Sequence, residues 1–302
     1  MPELARLTWP EAEEALAAAR LAILPVGSCE QHGPHLTLDT DSAIAEALAG
    51  RLAFDLGDAA VTCPPLRYGL SEHHMAFPGT LTLRPHTLEA VVLDVVESLA
   101  HWGQRRVLIV NGHGGNIDSL RLVSRTARRD LGCIVAAVMW AQLAADRIAE
   151  RVTSPRYGHA CEIETSVAWA LTPDRVHADR ITEPRPKPSR EPLTEPPSPR
   201  VERAVWFDEW TENGALGDPR LASAELGDAV ITVAYERALA FARRFAHEPV
   251  PERPERSEPR PGGWPRSRRQ PPRPANGPRP ATERQAETAE TAEKAERRND
   301  HG

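Results

Sequence analysis

The chain has little cysteine, and its cysteines are not arranged in pairs. Four occur among 302 residues, and no two of them form a Cys-x-x-Cys motif: Cys29, Cys63, Cys133 and Cys161. Zinc ribbons and the disulfide frameworks of small secreted domains both need closely spaced cysteines. The sequence therefore predicts free thiols in a reducing compartment and excludes both of these stabilising devices.

The chain also lacks the segments and the charge that direct a protein to membranes or nucleic acids. No apolar stretch approaches the ~20 residues that a transmembrane helix needs. Residues 1–6 show no basic segment followed by an apolar one, as a signal peptide would. The net charge is −6, whereas nucleic-acid-binding proteins usually present a basic surface. We therefore expect a cytoplasmic protein that binds neither membrane nor nucleic acid.

Aliphatic residues almost disappear beyond residue 250. From Pro251 onward the chain is rich in proline, arginine and glutamate, with Ala-Glu-Thr repeats near its end. Such a segment buries too little apolar surface to offset the entropy lost on ordering. We predict one folded domain over residues 1–250 and a disordered tail over residues 251–302. A second proline-rich stretch, residues 183–200, is interpreted as a long surface loop.

What the folded part contains is an alternation of apolar strands and helices. The predicted strands cover residues 21–26, 60–66, 106–110 and 134–139. The predicted helices cover residues 41–52, 88–102 (capped by Thr87), 117–130, 162–171 and 218–245. This alternation is typical of βαβ units around a mostly parallel sheet. The sequence therefore predicts an α/β fold with its active site at the carboxyl ends of the strands.

The first candidate motif follows the strand at 21–26 and reads Gly-Ser-Cys-Glu-Gln-His-Gly-Pro-His over residues 27–35. Glu30 and His32 are two residues apart, so in an extended chain their side chains leave the same face. Asp41 follows after a short loop and can close on the same point. Carboxylate oxygens mixed with imidazole nitrogen suit Zn²⁺, Mn²⁺ or Fe²⁺ and suit Ca²⁺ poorly. The alternative is an ordinary solvated loop.

The second motif is Asn-Gly-His-Gly-Gly-Asn, residues 111–116, directly after the strand at 106–110. Its glycines let the backbone turn tightly and approach a ligand, and we expect Asn116 to cap the next helix. The motif fits neither the P-loop nor the dinucleotide pattern and lacks the P-loop lysine, which disfavours phosphate binding. His113 is therefore interpreted as a further metal ligand, with a purely structural histidine as the alternative.

The third motif is Gly-His-Ala-Cys-Glu-Ile-Glu-Thr-Ser, residues 158–166, at the start of a helix. His159 precedes the first turn, and Glu164 lies five residues later. At the mouth of a sheet that holds other ligands, we expect these two residues to supply a proton shuttle and a carboxylate. Glu162 is interpreted as a helix N-terminal charge that the dipole favours.

Two smaller candidates remain. Cys161 lies two residues from His159, so a thiol nucleophile is conceivable, but the surrounding carboxylates would raise the pKa of the thiol. Glu72, His73 and His74 precede the run Phe-Pro-Gly-Thr. They either line the substrate pocket or are solvated loop residues, and the sequence favours neither reading.

Together, the three motifs resemble the creatininase family of metal-dependent amidohydrolases. Residues 77–80 (Phe-Pro-Gly-Thr), 217–219 (Gly-Asp-Pro) and 222–225 (Ala-Ser-Ala-Glu) match further family segments, so the resemblance spans roughly residues 5–245 in order. It implies a three-layer α/β/α sandwich around a mainly parallel sheet, formed by a single domain. It also implies assembly into a homo-oligomer, a hexamer in this family.

The resemblance further implies a site and a reaction. The implied metal ligands are Glu30, His32, Asp41, His113 and Glu164. Asp41 would bridge two ions, and Glu164 would either bind the second ion or orient the attacking water. A metal-activated hydroxide would attack an amide carbon, and His159 would protonate the leaving nitrogen. The expected cofactors are one or two Zn²⁺, Mn²⁺ or Fe²⁺ ions per subunit.

Two departures from the family pattern bear on the substrate. Creatininases carry a glutamate two residues after the histidine of the second motif, where this chain has Gly115. They carry a tryptophan four residues before the histidine of the third motif, where this chain has Pro155. We therefore expect hydrolysis of a small cyclic amide or formamide other than creatinine. The alternatives are a peptidase of the mycofactocin-precursor type and a degenerate, non-catalytic family member.

Overall fold

The structure is a computed structural model, and it describes residues 3–188 and 204–252. Within these ranges four strands form one parallel sheet in the order β2-β1-β3-β4. They are β1 (Leu21–Val26), β2 (Ala60–Thr62), β3 (Arg106–Asn111) and β4 (Ile134–Met139). All four were expected, but β2 ends before the predicted residue 66. Pro64 and Pro65 follow it, and proline has no N–H group for a sheet ladder.

The two faces of the sheet bury different residues, because successive side chains of a strand point in opposite directions. Leu21 and Ile23 of β1 pack with Leu108 of β3 in one core. Their chain neighbours Leu24 and Val107 pack in the other core. Every residue of β1 is buried, as expected of a parallel sheet that is covered on both sides.

Helices cover both faces and complete a single-domain α/β/α sandwich, as predicted. In chain order they are α1 (Trp9–Ala18), α2 (Thr40–Leu56), α3 (Pro85–His101), α4 (Ile117–Leu131), α5 (Trp140–Leu143), α6 (Ala145–Arg151), α7 (Glu162–Leu171), α8 (Phe207–Trp210) and α9 (Ala224–Phe245). Residues of α2, α7 and α9 pack on one face, and residues of α3 and α4 pack on the other.

Two helix starts and one helix cap differ from the prediction. Helix α3 begins at Pro85, which is pre-set for the first helical position, so Thr87 lies inside the helix. Asn116 occupies the position before α4, but its amide binds Leu70 N–H and the Gly27 carbonyl instead of capping. Residues 219–221 form a short 3₁₀ turn, and α9 begins later, where the Ser223 hydroxyl accepts the N–H of Leu226.

Helices α7 and α9 are in direct backbone contact. A Cβ atom at Gly227 of α9 would collide with the carbonyl oxygen of Ser166 in α7. The hydroxyl of Ser166 also accepts the N–H of Ser223, at 3.0 Å. The first turn of α7 lies at the carboxyl edge of the sheet. The contact with α9 therefore helps to hold the start of α7 at that edge.

The predicted tail, residues 251–302, lies almost entirely outside the described residues, and so does most of the predicted loop at 183–200. No described helix combines the length and apolar composition that crossing a bilayer requires.

Candidate metal centre

Six polar side chains meet at the carboxyl edge of the sheet, and the sequence had singled out all six. They are Glu30, His32, Asp41, His113, His159 and Glu164, and each is more than nine-tenths buried. Glu30 and His32 follow β1, and His113 follows the neighbouring strand β3. Asp41 and Glu164 lie in the first turns of α2 and α7, and His159 lies just before α7.

Two glycines of the second motif make this close approach possible. A Cβ atom at Gly112 would collide with the backbone carbonyl of Asp41, so only glycine lets the end of β3 meet α2. A Cβ atom at Gly115 would collide with the His113 ring and with the carbonyl of Leu70. This loop therefore has no space for a glutamate at position 115.

Asp41 is the central carboxylate of the cluster. Its Oδ1 lies 3.3 Å from Nε2 of His32, and its Oδ2 lies 3.1 Å from Nδ1 of His113. Glu30 Oε2 lies 3.2 Å from Nε2 of His113, and Glu164 Oε1 lies 3.8 Å from Nε2 of His32. Asp41 thus contacts both histidines, while Glu30 approaches His113 and Glu164 approaches His32.

Three of the imidazoles are each held by a backbone carbonyl. The pairs are His32 Nδ1 with Glu30 O (3.1 Å), His113 Nε2 with Leu70 O (2.8 Å) and His159 Nε2 with Gln31 O (2.7 Å). A carbonyl can only accept, so each of these nitrogens carries a hydrogen. The other nitrogen of each ring faces the carboxylates. Metal-binding histidines are usually oriented in this way.

The carboxylate of Glu30 is buried without an aligned hydrogen bond at either oxygen. Such a charge is costly unless a counter-charge compensates it. Glu30 belongs to three of the four groups whose ligand atoms all lie within 4.8 Å of one another: Glu30–Asp41–His113, Glu30–His32–His159, Glu30–His73–His74 and His32–Asp41–Glu164. Mixed oxygen and nitrogen donors of this kind suit Zn²⁺, Mn²⁺ or Fe²⁺. The residues therefore fit a divalent cation.

The carboxylates make the cluster favour positive charge. Burial opposes protonation of His32, but Asp41 and Glu164 outweigh it and raise the pKa of His32 to about 10. Burial also opposes protonation of His113, and there Glu30 and Asp41 raise the pKa to about 9. A divalent cation satisfies the same preference.

Burial decides the direction of the pKa shift at Glu30, Glu164 and His159. It raises the pKa of Glu30 to about 7, although His113 acts in the opposite direction, and it raises the pKa of Glu164. Burial also lowers the pKa of His159 well below its usual value, and repulsion from His32 adds to this effect. His159 is therefore neutral, with its hydrogen on Nε2. Its free Nδ1 lies 3.8 Å from Glu30 Oε1 and from Glu164 Oε2.

Three further side chains complete the cluster. His74, which the sequence left undecided, is buried, with its Nε2 3.2 Å from Glu30 Oε1; Glu72 of the same run is exposed. Gln31 contacts His74, and the Phe207 ring of α8 stacks on His74 with centroids 4.0 Å apart. The motif containing Gln31 was visible in the sequence. Nothing in the sequence distinguished Phe207 from an ordinary core residue.

The structure also shows the surroundings of Cys161 and Glu162, which lie close to His159 in the chain. Burial raises the pKa of the Cys161 thiol to about 11, so this residue does not supply a thiolate near neutral pH. Glu162 lies in the first turn of α7 as predicted, but its Oε1 accepts the N–H groups of Thr153 and Ser154, at 3.1 and 2.8 Å. It thereby holds the loop that leads to His159.

Comparisons with known proteins identify relatives of the whole folded part. The family model for creatinine amidohydrolase matches residues 5–242. A mycofactocin precursor peptide peptidase of Mycolicibacterium smegmatis is 35% identical over 217 residues, covering 70% of this chain and 79% of that protein. A creatinine amidohydrolase of Pseudomonas putida is 29% identical over 253 residues, covering 75% of this chain and 90% of that protein.

A solved structure named "Creatininase Mn" has the same fold. It is 28% identical, with a TM-score of 0.66, and the alignment covers 80% of this chain and 97% of that one. These matches confirm the resemblance that the three motifs indicated. The chain therefore belongs to the creatininase family of amidohydrolases.

Proposed function

We propose that the chain is a metal-dependent hydrolase that cleaves the amide bond of a peptide. The metal ligands would be Glu30, His32, Asp41, His113 and Glu164, and His159 would carry the proton. The observation that supports this proposal is the buried carboxylate of Glu30, which accepts no aligned hydrogen bond and faces imidazole nitrogens at 3.2 Å.

Four of the five proposed ligands, all except Glu30, have a hydrogen-bond partner that fixes their direction. Besides the carbonyls that hold His32 and His113, the hydroxyl of Ser28 donates to Asp41 Oδ2 at 2.5 Å. The N–H of Ala160 donates to Glu164 Oε2 at 2.6 Å. A bound divalent ion supplies Lewis-acid chemistry, lowering the pKa of water and polarising a carbonyl.

Proton transfer is assigned to Nδ1 of His159. The Gln31 carbonyl holds Nε2–H, which directs Nδ1 toward Glu30 and Glu164. A neutral imidazole in this position can take a proton at Nδ1 and return it to the leaving nitrogen. Ala160, directly after it, has a positive φ of 47°, which is uncommon for a residue with a side chain. This conformation aims the Ala160 N–H at Glu164 while His159 faces the cluster.

The relatives favour a peptide as the substrate. Peptidases of mycofactocin precursors are 34–35% identical to this chain, whereas the creatinine amidohydrolase is 29% identical. Gly115 and Pro155 also differ from the pattern expected for creatinine. We therefore place the peptidase ahead of the small amide that the sequence alone had favoured.

A small cyclic amide or formamide is the second candidate, and one observation favours it. All six side chains of the cluster are more than nine-tenths buried, and Phe207 covers His159 and His74. An enclosed site of this kind admits a small molecule more readily than a polypeptide.

Two variants test the roles at the site. His159→Ala should keep its metal and lose about 10²–10⁴-fold in turnover, because it removes only the proton carrier. His113→Ala should lose metal. Metal content by mass spectrometry and turnover would be measured together, with exposed His86→Ala as the matched control. Full metal and full rate in both variants would refute the assignment.

A substrate panel tests the reaction. The purified full chain, loaded in turn with Zn²⁺, Mn²⁺ or Fe²⁺, would be incubated with a mycofactocin precursor peptide, lactams and formamides, and products identified by mass spectrometry. Cleavage of the peptide that depends on His159 supports the peptidase, and turnover of small amides alone supports the second candidate. A purified chain that binds none of the three metals would contradict both.

A further inference from the structure

We propose that the open edge of strand β4 is a docking site for an extended, acidic segment of the peptide substrate, which adds to the sheet as a further strand. The proposal rests on the proposed peptidase function and identifies where the substrate is held outside the metal centre. The backbone of Ala137 pairs with the segment, and the guanidinium of Arg125 binds its carboxylates.

One edge of β4 has no partner strand within residues 3–188 and 204–252. On its other edge β4 pairs with β3 in parallel, and the N–H of Ile134 donates to the carbonyl of Arg105. In such a ladder the backbone groups of alternate residues point to the same neighbouring strand. The even-numbered residues of β4 therefore bond to β3, and the odd-numbered residues turn their backbone groups to the open edge.

Ala137 is the accessible residue of the open edge. The carbonyl of Val135 already accepts the hydroxyl of Ser124, at 2.5 Å. Ala137 is exposed, and no described residue supplies a partner for its N–H or its carbonyl. Strand β4 reads Ile-Val-Ala-Ala-Val-Met, without the proline or charge that commonly protects an exposed edge. This edge can therefore pair with an extended chain.

A cavity of about 380 Å³ lies beside the open edge, between α4, the end of β4 and α5. Arg121 and Arg125 of α4 line it, and no acidic residue of the described ranges does. Arg121 forms an ion pair with Asp118 at 3.0 Å. Arg125 is exposed and forms no ion pair with another described residue. The charge of the cavity therefore favours an occupant with carboxylates.

The same charge disfavours a second copy of this chain as the occupant. Two copies that joined their β4 edges about a two-fold axis would bring their α4 helices together on one face of the combined sheet. Arg121 and Arg125 would then face the same positive side chains of the other copy. Like charges oppose that contact, so an acidic peptide matches this edge better.

The cavity leads to the loop that carries His113. Asn111 and Ile117, which precede and follow this loop, both line the cavity. Asn111 Nδ2 also donates to the carbonyl of His113, at 2.6 Å. An added strand would lie about 10 Å from β3, which is two strand spacings, and about three extended residues cover that distance. A segment held at the edge can therefore present a neighbouring peptide bond to the metal centre.

The binding test uses the full-length protein and two synthetic peptides. One fluorescein-labelled peptide has eight residues, alternately threonine and glutamate, and its matched control carries glutamine in place of glutamate. Fluorescence anisotropy would give the Kd of each peptide for the unmodified protein, Arg125→Gln, Ala137→Pro and Arg128→Gln. Arg128 is exposed on α4 and does not line the cavity, so it is the control position. Proline at position 137 removes an N–H from the open edge and none from the ladder with β3.

We expect the glutamate peptide to bind the unmodified protein more tightly than the glutamine peptide. Arg125→Gln should weaken the Kd about 5-fold, the upper range for one exposed ion pair. Ala137→Pro should weaken it about 10-fold, because the edge loses a hydrogen-bond donor. Arg128→Gln should leave the Kd unchanged. Equal Kd values for the two peptides, or an unchanged Kd in either Arg125→Gln or Ala137→Pro, would overturn the proposal.

A modified peptide provides a second measurement should Ala137→Pro fail to fold. Two glutamate peptides would be N-methylated at alternate residues, one on each edge of the extended chain. Only the peptide methylated on the edge that faces β4 should bind more weakly than the unmethylated peptide. Equal affinities of all three peptides would exclude strand addition and overturn the proposal.

Kinetics separate the docking site from the proposed function. For a peptide that the metal-loaded protein cleaves, Arg125→Gln should raise KM and leave kcat nearly unchanged, because it removes binding that does not depend on the reaction. Cleavage with an unchanged KM would overturn the docking site. Binding that depends on Arg125, without cleavage of any peptide, would refute the proposed peptidase alone. A smaller oligomer of Ala137→Pro in light scattering would mean that a second copy occupies the edge, and would also overturn the proposal.

Discussion

At the scale of the residue, the positions of the ring hydrogens decide what each histidine of the cluster can do. His32, His113 and His159 each donate to a carbonyl, which leaves one nitrogen free to face Glu30, Asp41 or Glu164. The residue types alone do not show which ring nitrogen carries the hydrogen. His74 lies in the same cluster, but its Nδ1 contacts the side-chain amide of Gln31 and not a backbone carbonyl.

His35 gives a prediction for the dependence of stability on pH. It is buried, its Nε2 lies 2.8 Å from the Thr165 hydroxyl, and burial together with His32 lowers its pKa from 6.5 to about 4. The unfolded chain therefore binds a proton at pH 5 that the folded chain does not. Stability from this group is complete above about pH 6.5 and is lost as the pH falls toward 4.

Between pH 7.5 and pH 5 the loss should be about 2 kcal/mol. Urea unfolding at both pH values would measure it in the unmodified protein, in His35→Gln, and in His86→Gln as an exposed control. The difference between the two pH values should be smaller in His35→Gln than in the other two proteins. An equal difference in all three would show that His35 does not contribute.

The residues of the site could be named from the sequence because their chemistry is concentrated in three short motifs at strand ends. Glu30, His32 and Asp41 were grouped by spacing, and His113 by its position after β3. His74 remained ambiguous because the sequence does not show which residues of the run Glu72, His73 and His74 are buried. In the structure Glu72 is exposed, His73 is half-buried and His74 is buried. Phe207 could not be found, since its contact with His74 depends on tertiary folding alone.

At the scale of the element, α8 is the piece of the fold that covers the cluster. It has only four residues, and Phe207 is its buried member. The ring of Phe207 packs on His74 and, at 4.6 Å, on the edge of His159, while Trp210 packs on the other side of the ring at 5.5 Å. Helix α8 therefore separates the imidazoles from solvent.

Replacing Phe207 should open the site. Phe207→Ala should cost about 3 kcal/mol of unfolding free energy, the lower end of the range for buried phenylalanine. It should also let a soluble chelator remove bound metal faster, because the ring no longer shields His74 and His159. Trp206→Ala, at an exposed position in the same segment, is the control. Equal rates of metal removal in the two variants would show that Phe207 is not the cover.

Sequence periodicity predicted the strands and long helices well and their ends less well. The long elements have clear apolar faces, but α3 begins at a proline that the pattern had placed outside the helix. Asn116 binds Leu70 and Gly27, two partners that only the folded chain brings near it. Helix ends depend on such partners, which lie far away in the sequence.

At the scale of the whole molecule, the folded part is expected to be independent of the tail. The guanidinium of Arg105 donates to the carbonyl of Pro251 at 2.6 Å, near the last described residue.

The disordered tail over residues 251–302 and the homohexamer both remain predictions. Light scattering of the purified protein would measure the size of the oligomer.

Truncation tests the domain boundary. Removing the residues after Glu252 should leave turnover and the free energy of unfolding nearly unchanged, because it keeps Pro251 and removes only the predicted tail. Removing the residues after Arg244 should destabilise the chain by at least about 3 kcal/mol, because it deletes the buried Phe245. A large loss in the longer of the two truncated proteins, measured by thermal unfolding and by turnover, would contradict the boundary at residue 250.

The backbone contact between α7 and α9 has a consequence for genetic screens. Gly227 touches no residue of the cluster, yet any side chain there would push on Ser166, two residues after Glu164 on the same helix. In a random library selected for loss of activity, substitutions of Gly227 should therefore be recovered alongside those of Glu164. A geneticist who mapped such alleles without a structure would assign position 227 to the active site.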